Sequence, residues 1–514
     1  MQVEEFLEFS AARFPEKEAL ICGARRLTYA QMNLLADRLA NGLIDHGLQR
    51  WDRVAIYLEN SIPAAAAIFA VLKAGGVFLV INPSTKAEKL AYILNNCRAH
   101  SLVTSRNRLE NLASCWGQTP HLKNVLLVQG GQDLPQHTGI AFLDFDSVVN
   151  AASERPCPKR CIDVDLAALV YTSGSTGRPK GVMLTHLNMV SAATSITTYL
   201  ENTPQDIILS VLPLSFDYGL YQLLMAFKIG GTLVLERSFT YPHPVLQALE
   251  RERVTGFPVV PTIASLLLQM DLSQYSFASL RYLTNTAAAL PVEHIKRLRR
   301  LLPHVRIYSM YGLTECKRVS YLPPEQLDIR PDSVGRGMPN EEVYIVDEQG
   351  RRVGPGVVGE LVVRGSNVMK GYWELPEETD KVLKTGPFPG EKVLYTGDLF
   401  RSDEDGYLYF MGRRDDIIKT KGEKVSPKEI ENALYKLPAV LEAAALGVPD
   451  PILGQAVKAV VSLRAGAQLS QQELLRHCAE HLEDFMVPKF VEIRESLPKT
   501  DSGKIVRREL MGAA

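Results

Sequence analysis

The chain carries Tyr171-Thr-Ser-Gly-Ser-Thr-Gly-Arg-Pro-Lys180-Gly181 directly after an apolar run, Leu166 to Val170. The apolar run predicts a buried strand. The glycines that follow let the backbone approach an anion closely, because no Cβ stands in the way. The serine and threonine hydroxyls add hydrogen-bond donors, and Lys180 adds a positive charge. The segment therefore predicts a loop, at the end of a strand, that holds a nucleoside triphosphate.

Two other interpretations of this loop are less favourable. A Walker A motif needs Gly-x-x-x-x-Gly-Lys followed by Ser or Thr, whereas Gly181 follows Lys180 here. An ordinary P-loop kinase or GTPase is therefore disfavoured. A flexible linker has a similar glycine- and serine-rich composition, but such linkers rarely follow a buried strand and end in Pro-Lys-Gly.

The composition is that of a globular chain with several folding units. A length of 514 residues is too great for a single core. Hydrophobic residues make up 46% and charged residues 22%, and both values are usual for globular proteins. Because 57 basic residues nearly balance 58 acidic ones, neither nucleic acid nor an anionic membrane is expected as the main partner.

The sequence shows no signal for secretion or for a membrane span. Residues 1–5 are acidic, so a secretory signal is not expected. The most apolar window, Ile62 to Ile81, is interrupted by Lys73, Gly75 and Gly76 and predicts a buried helix followed by a strand. The seven cysteines are scattered and odd in number, which favours reduced thiols and a cytoplasmic location.

Helical and strand patterns alternate along most of the chain. Before the loop, Leu27–Gly42 and Ala64–Lys73 have helical spacing, whereas Arg53–Leu58 and Gly76–Ile81 have the pattern of strands. The alternation continues after the loop, so both parts are expected to form parallel sheets with crossover helices. From about Asp332 the pattern predicts antiparallel strands or a small barrel. The residues after 416 predict a small α+β unit.

Three further segments each combine a glycine with a chemically useful side chain. Glu315, in Tyr311-Gly-Leu-Thr-Glu315, is suited to hold the Mg²⁺ that nucleotidyl chemistry needs. Taken alone, Thr314 and Glu315 would be interpreted as helix-capping groups. Asp398 follows a tight turn and can accept sugar hydroxyls. Lys504 can bridge a substrate carboxylate and a phosphate, and so neutralise charge as the carboxylate attacks phosphorus.

The loop and these segments, in this order, resemble the signature motifs of the adenylate-forming superfamily. That superfamily contains acyl-CoA synthetases, amino-acid adenylation domains and luciferases. The charged segment Gly412 to Ser426 extends the resemblance. The resemblance implies that ATP and Mg²⁺ serve to activate a carboxylic acid as an acyl adenylate, with loss of pyrophosphate. The acyl group would then pass to the phosphopantetheine thiol of coenzyme A or of a separate carrier protein.

The resemblance also implies roles for individual residues. The nucleotide phosphates would lie on Thr172, Ser173, Gly174, Ser175, Thr176, Gly177 and Lys180. The adenosine would contact Tyr311, Asp398, Arg413 and the backbone of Ala287 and Ala288, where relatives have Gly-Gly-Ala. The catalytic group would consist of Lys504, Glu315 as metal ligand, Thr314 at the α-phosphate and Thr172. Asp415 would be the hinge and Gly422 part of the thiol tunnel, while His186 is expected to be structural.

The identity of the acid depends mainly on Asp217. The segment Leu212 to Gly219 resembles the segment that opens onto the acid pocket in members of the family. A Phe-Asp pair in this segment is typical of amino-acid adenylation domains. A carboxylate in an apolar pocket without a cation is costly, so Asp217 suggests pairing with a substrate α-ammonium. Tyr218 and Tyr221 would narrow the pocket, and Met310 is assigned to it by resemblance. These features favour a small amino acid such as L-proline as the substrate. In this segment the chain resembles stand-alone prolyl-adenylating enzymes that load carrier proteins.

Three alternatives remain open at this point. Asp217 is also suited to capping the helix that follows it. An acyl- or aryl-CoA ligase would use the same reaction with coenzyme A as acceptor. A non-catalytic nucleotide or acyl-adenylate sensor would be expected to lack Lys504 or Glu315, and both are present.

Pattern and resemblance together predict an α/β protein of two domains. Residues 1–411 would form a large N-terminal domain of two doubly wound α/β subdomains and a small β-barrel. Residues 412–416 would be a hinge. Residues 417–514 would form a small, mobile α+β domain, because a change in a few backbone dihedrals at the hinge swings it between two positions.

Overall fold

The computed structural model describes residues 1–109, 116–131, 133–173, 179–286, 290–414, 416–420, 423–450, 453–500 and 504–511. The side chains of Ser173, Lys424 and Gly454 are also outside the description. Eight of the predicted site residues lie outside the described ranges: Gly174, Ser175, Thr176, Gly177, Ala287, Ala288, Asp415 and Gly422.

The described α-helices follow the predicted alternation. They are α1 (Glu5–Arg13), α2 (Tyr29–Asp45), α3 (Ile62–Lys73), α4 (Ala87–Asn96), α5 (Phe145–Ala151), α6 (His186–Tyr199), α7 (Asp217–Ile229), α8 (Pro242–Arg251), α9 (Pro261–Leu267), α10 (Val292–Leu301), α11 (Pro376–Val382), α12 (Pro427–Tyr435) and α13 (Gln471–His481). Local sequence sets the C-terminal end of α7, the helix that carries Asp217, Tyr218 and Tyr221. It ends at Gly230, whose φ of 71° is left-handed and suits glycine.

The described strands fall into four sheets. They are β1 (Glu18–Cys22), β2 (Arg25–Thr28), β3 (Arg53–Tyr57), β4 (Val77–Val80), β5 (Ala99–Ser105), β6 (Asn124–Val128), β7 (Ala141–Asp144), β8 (Leu166–Ser173), β9 (Pro179–Thr185), β10 (Ile207–Ser210), β11 (Thr232–Leu235), β12 (Gly256–Val259), β13 (Tyr282–Asn285), β14 (Arg306–Tyr311), β15 (Ser320–Leu322), β16 (Arg336–Gly337), β17 (Glu341–Val346), β18 (Gly359–Gly365), β19 (Gly371–Tyr372), β20 (Leu383–Thr385), β21 (Lys392–Ser402), β22 (Leu408–Arg413), β23 (Ile418–Thr420), β24 (Glu423–Val425), β25 (Val440–Asp450), β26 (Gly454–Leu463) and β27 (Phe490–Arg494).

The first sheet carries the predicted phosphate loop. Its strand order is β19-β9-β8-β4-β3-β5-β6-β7, and β3 to β8 pair in parallel. Strands β8 and β9 are antiparallel, with Thr172 opposite Lys180. The apolar run therefore forms a strand as predicted, and it pairs with the described strand that follows it in the chain. The sequence analysis did not foresee β9.

The second sheet carries most of the other site residues. Its order is β16-β15-β14-β13-β12-β10-β11-β1-β2. The strands from β10 to β14 pair in parallel, so their carboxyl ends lie at one edge, where α/β proteins bind ligands. The first strand of the chain, β1, pairs in parallel with β11. This return of the N-terminus to the second sheet was not predicted, because sequence order does not reveal which distant strands pair.

Helix α3 is buried on nearly every side, as its apolar sequence predicted. All its residues except Pro63 are buried, and the helix begins at a side-chain cap from Ser61. Strand β4 follows it directly. None of the described helices combines the length and apolarity that a bilayer crossing requires.

Two smaller sheets complete the fold. Strands β17, β18, β21 and β20 form an antiparallel sheet with β22 beside β21. Among the described residues this sheet does not close into a barrel. Beyond it, β23 to β27 and helices α12 and α13 enclose a separate core that includes Ile430, Val461 and Leu474. The predicted hinge, residues 412–416, spans the connection between β22 and β23, and its motion remains a prediction.

Candidate active site

Charged groups from both domains lie near one another at the carboxyl edge of the second sheet. The limited solvation of the Lys504 ammonium lowers its pKa, and Arg413 lowers it further. Asp217, Asp398 and Glu315 act in the opposite direction. Because such interactions fall off with distance, the C-terminal lysine lies near carboxylates of the large domain. The structure thus brings together residues that are far apart in sequence.

Lys504 lies on an exposed turn of the small domain. The backbone N–H of Thr500 donates to the carbonyl of Lys504 at 2.7 Å. The Lys504 N–H donates in turn to Thr500 Oγ1 at 3.1 Å. An antiparallel bridge between Lys499 and Ile505 closes the turn at its base. The turn therefore presents the lysine on a braced backbone.

The predicted nucleoside site is built around Asp398. Strands β21 and β22 place Asp398 directly opposite Arg413, and Arg413 Nε lies 3.4 Å from Asp398 Oδ1. The Tyr311 hydroxyl donates to Asp398 Oδ2 at 2.5 Å. Burial raises the pKa of Asp398, and Arg413 and the Tyr311 hydrogen bond oppose that rise. Asp398 Oδ1 has no hydrogen-bond donor among the described residues, so this oxygen can accept one from a ligand hydroxyl.

Glu315 lies in the loop that joins β14 to β15. The Tyr372 hydroxyl donates to Glu315 Oε1 at 2.8 Å, which orients the carboxylate. Among the described residues there is no cluster of three or more His, Cys, Asp or Glu side chains that could hold a metal ion. The single Glu315 carboxylate is suited to Mg²⁺, because this ion typically takes one or two carboxylates together with phosphate and water oxygens. Thr314, directly beside Glu315, is partly buried.

Lys180 has a carboxylate partner that the sequence analysis missed. Its ammonium lies 2.5 Å from Glu378 on α11 and 5.3 Å from the centroid of the Tyr372 ring. Hydrogen bonds from Lys180 and Lys381 lower the pKa of Glu378 to about 2. A phosphate that bound Lys180 would therefore compete with Glu378. Thr172 is partly buried on β8, opposite Lys180.

The predicted acid pocket lies at the start of α7. Asp217 is the first residue of that helix and is 8% exposed. Phe216 occupies the N-cap position without a side-chain cap bond. No described residue donates a hydrogen bond to the Asp217 carboxylate, so Asp217 does not cap the helix in the described structure. The Tyr218 hydroxyl lies 2.7 Å from the Thr284 carbonyl. The Tyr221 hydroxyl is buried without a partner in the described part of the chain.

Two buried cations beside this pocket were missed by the sequence analysis. Lys317 is 1% exposed, and its ammonium lies 5.7 Å from the centroid of the Tyr221 ring. The Arg318 guanidinium lies 4.5 Å from the centroid of the Tyr218 ring. The premise that Asp217 has no cation near it was therefore wrong. Two adjacent basic residues are usually exposed, and only their position two and three residues after Glu315 could have indicated otherwise.

Two other assignments are clear from the contacts. Met310 is buried on β14, and its sulfur accepts a hydrogen bond from the Tyr199 hydroxyl at 2.9 Å. His186 accepts a hydrogen bond at Nδ1 from the backbone of Val3 at 3.1 Å. Burial lowers the pKa of His186 to about 4, so this imidazole is neutral and anchors the N-terminal segment, as its predicted structural role implies.

Comparison with known proteins places the chain in a family. A family model described as AMP-binding enzyme matches residues 7–373, and a model of the AMP-binding enzyme C-terminal domain matches residues 429–504. The chain belongs to the AMP-binding enzyme family. The predicted resemblance, the α/β fold class and the status as an enzyme are thereby confirmed.

Similar proteins match this AMP-binding enzyme over nearly their full length. The long-chain-fatty-acid–CoA ligase of Bacillus subtilis (strain 168) is 33% identical, with 99% of this chain and 94% of that protein covered. The structure of the anthranilate CoA ligase AuaEII in complex with anthranoyl-AMP has a TM-score of 0.91 at 28% identity, covering 99% and 96% of the two chains. ATP-bound MatB from Rhodopseudomonas palustris has a TM-score of 0.88 at 29% identity, covering 99% and 98%.

Proposed function

We propose that the protein is an AMP-forming acid–CoA ligase. The observation that carries this proposal is the proximity of Lys504 of the small domain to Asp217, Glu315 and Asp398 of the large domain. Such an arrangement suits a reaction in which two anions, a carboxylate and a nucleotide phosphate, must meet. The similarity to acid–CoA ligases and to an ATP-bound structure supports it.

In the first step, a carboxylate oxygen of the acid attacks the α-phosphorus of ATP. The bond from that phosphorus to the bridging oxygen breaks, and pyrophosphate leaves. Lys504 stabilises the negative charge shared by the carboxylate and the phosphate. Asp398 and Arg413 hold the ribose, and Glu315 would hold Mg²⁺. When bound, that ion neutralises the charge of the departing phosphates.

In the second step, the thiol of coenzyme A attacks the acyl carbonyl. The thiol loses its proton, a carbon–sulfur bond forms, and the bond from carbon to the AMP oxygen breaks. We propose coenzyme A as the acceptor because the similar proteins are named CoA ligases. Residue 422 and the hinge at residue 415 keep their proposed roles in the thiol tunnel and in domain rotation.

A small amino acid loaded onto a carrier protein is the second candidate. Buried Asp217 favours it, since a carboxylate there could pair with an α-ammonium. Lys317 weakens it, because a second ammonium would then lie near the same carboxylate. The named similar proteins also give no support to proline or to a carrier protein.

Pyrophosphate release across a panel of acids tests both candidates. We expect the wild-type protein to release pyrophosphate with ATP, Mg²⁺ and a carboxylic acid that lacks an amino group, and to form a thioester when coenzyme A is added. Asp217→Asn should leave that acid a substrate. If only amino acids are activated, and Asp217→Asn abolishes their activation, the second candidate replaces the first. If no acid is activated, the ligase proposal fails.

Asp398→Ala is expected to weaken ATP binding about 10- to 100-fold. The substitution removes a carboxylate positioned to accept ribose hydrogen bonds, and hydrogen bonds to charged groups contribute roughly 1.5–3 kcal/mol each. Equilibrium binding of ATP measures the effect. Asp403→Ala is a matched control, because Asp403 pairs with Arg330 instead. Unchanged ATP affinity in Asp398→Ala would exclude the ribose role.

A further inference from the structure

Lys317 is a buried amine that lacks a hydrogen-bond or ion-pair partner in the described part of the chain. Its side chain is among the largest fully buried ones, and Nζ has no hydrogen-bond acceptor among the described residues. No described carboxylate lies within ion-pair distance of it. A buried ammonium that lacks such partners costs several kcal/mol. A protein retains such a group most readily where a ligand satisfies it.

The backbone of Lys317 is held in an unusual conformation. Its φ is 71°, a left-handed value that is rare for a long side chain. A hydrogen bond from the Lys317 N–H to the Leu313 carbonyl at 2.7 Å helps to hold this turn. Strain of this kind costs on the order of 1–3 kcal/mol and clusters at functional sites. The turn directs the lysine inward rather than to solvent.

Lys317 points toward the acid pocket. Its ammonium lies 5.7 Å from the centroid of the Tyr221 ring, on the helix that begins with Asp217. Lys317 also follows Glu315 by only two residues in the loop between β14 and β15. Lys317 therefore lies between the predicted acid pocket and the residue predicted to hold the metal.

The charge of the pocket favours an additional anion. Arg318 lies over the Tyr218 ring at 4.5 Å and is 3% exposed. Its Nε also lacks a partner in the described part of the protein. Of the charged side chains against Tyr218 and Tyr221, two are basic and Asp217 is acidic. Neither Lys317 Nζ nor Arg318 Nε has a hydrogen-bond acceptor among the described residues, so an anionic ligand group would satisfy atoms that the described protein leaves unpaired.

We propose that Lys317 is a specificity-determining residue that binds a second carboxylate on the acid substrate, so that the enzyme activates dicarboxylic acids. The proposal rests on the proposed ligase function. One carboxylate of the substrate meets Lys504 and is activated, while the other pairs with Lys317. A neutral alkyl end would leave the lysine amine unsatisfied, and an α-ammonium would be repelled by it.

Matched pairs of acids test the proposal on the wild-type protein. Succinate, glutarate and isophthalate are compared with butyrate, pentanoate and 3-methylbenzoate, with 2-aminobutyrate as the amino-acid probe. We expect kcat/KM for pyrophosphate release to be about 10- to 100-fold higher for a dicarboxylate than for its matched monocarboxylate. A preference for the monocarboxylate or for 2-aminobutyrate would overturn the proposal.

Lys317→Met tests whether Lys317 causes the preference for dicarboxylates. The variant keeps an unbranched side chain and should raise KM for the preferred dicarboxylate about 10- to 100-fold, with kcat and the monocarboxylate KM changed less than about threefold. Lys228→Met is the control, because Lys228 is a partly buried lysine near the far end of the same helix, α7. An equal loss of kcat for all acids would show a structural role and overturn the assignment.

Two further results separate the possible failures. If the wild-type protein releases pyrophosphate with none of these or other acids, the proposed ligase function fails. If it activates acids but Lys317→Met leaves their ranking unchanged, only the role of Lys317 fails. Should Lys317→Met not fold, Lys317→Gln decides the same question from the ranking of the same acids; a wild-type ranking in folded Lys317→Gln would overturn the proposal.

Discussion

Lys504→Ala is expected to slow acyl-adenylate formation about 100- to 1000-fold, the usual effect of removing one group that stabilises transition-state charge. Lys504 lies near Asp217, Glu315 and Asp398, so its truncation removes a positive charge beside these groups. ATP affinity should change little, because the proposed ribose contacts are made by Asp398 and Arg413. Single-turnover pyrophosphate release measures the chemical step, and equilibrium binding measures ATP affinity.

The second half-reaction provides an internal control for Lys504→Ala. Thioester formation from a supplied acyl adenylate and coenzyme A should proceed at nearly the wild-type rate, since no phosphorus is attacked in that step. Lys499→Ala, on the same turn, removes a lysine that pairs with Glu442 and should retain adenylation. If Lys504→Ala still forms adenylate at more than about a tenth of the wild-type rate, the lysine has been assigned wrongly.

Gly312→Ala is expected to destabilise the large domain by about 1–3 kcal/mol and to impair activity as well. A Cβ at position 312 would lie 2.1 Å from the Lys317 carbonyl oxygen and 2.9 Å from Arg318 Cα. Both contacts are with backbone, so no side-chain rotation relieves them. The loop between β14 and β15 must shift, and it carries Thr314 and Glu315.

The activity loss in Gly312→Ala should exceed what partial unfolding explains. A displacement of about 1 Å at a catalytic group can cost about 100-fold in rate, so folded protein at low temperature should still show reduced kcat/KM. Thermal unfolding and pyrophosphate release measure the two effects. Gly354→Ala is the control, because a Cβ there meets no atom within 4 Å. Wild-type stability and activity in Gly312→Ala would contradict the predicted clash.

Some contacts followed directly from local pattern. Asp398 and Arg413 lie on strands joined by a short connection, and antiparallel pairing places them opposite each other. A helix begins at Asp217 after β10, in line with the predicted alternation, and the residues after 416 form strands and helices, as the predicted α+β unit requires. These features depend on interactions between residues near in sequence, which hydrophobic period and turn residues reveal.

Other contacts depend on pairing between distant segments. The partner of Lys180 is Glu378, which lies on α11 nearly two hundred residues later, and Tyr372 orients Glu315 from the same region. The first strand of the chain joins the second sheet beside β11. Sequence patterns do not indicate such partners, because a strand or an exposed charge can pair with many others of the same type.

The sequence alone was sufficient to predict the family, the α/β fold and the class of reaction, because the short motifs that bind a nucleotide act largely through glycines, hydroxyls and single charges. It did not predict the charge of the acid pocket. That was decided by the tertiary structure, in which the turn after Glu315 carries Lys317 and Arg318 inward against Tyr221 and Tyr218. Burial raises the free-energy cost of an unpaired charge, and burial is a property of the folded chain.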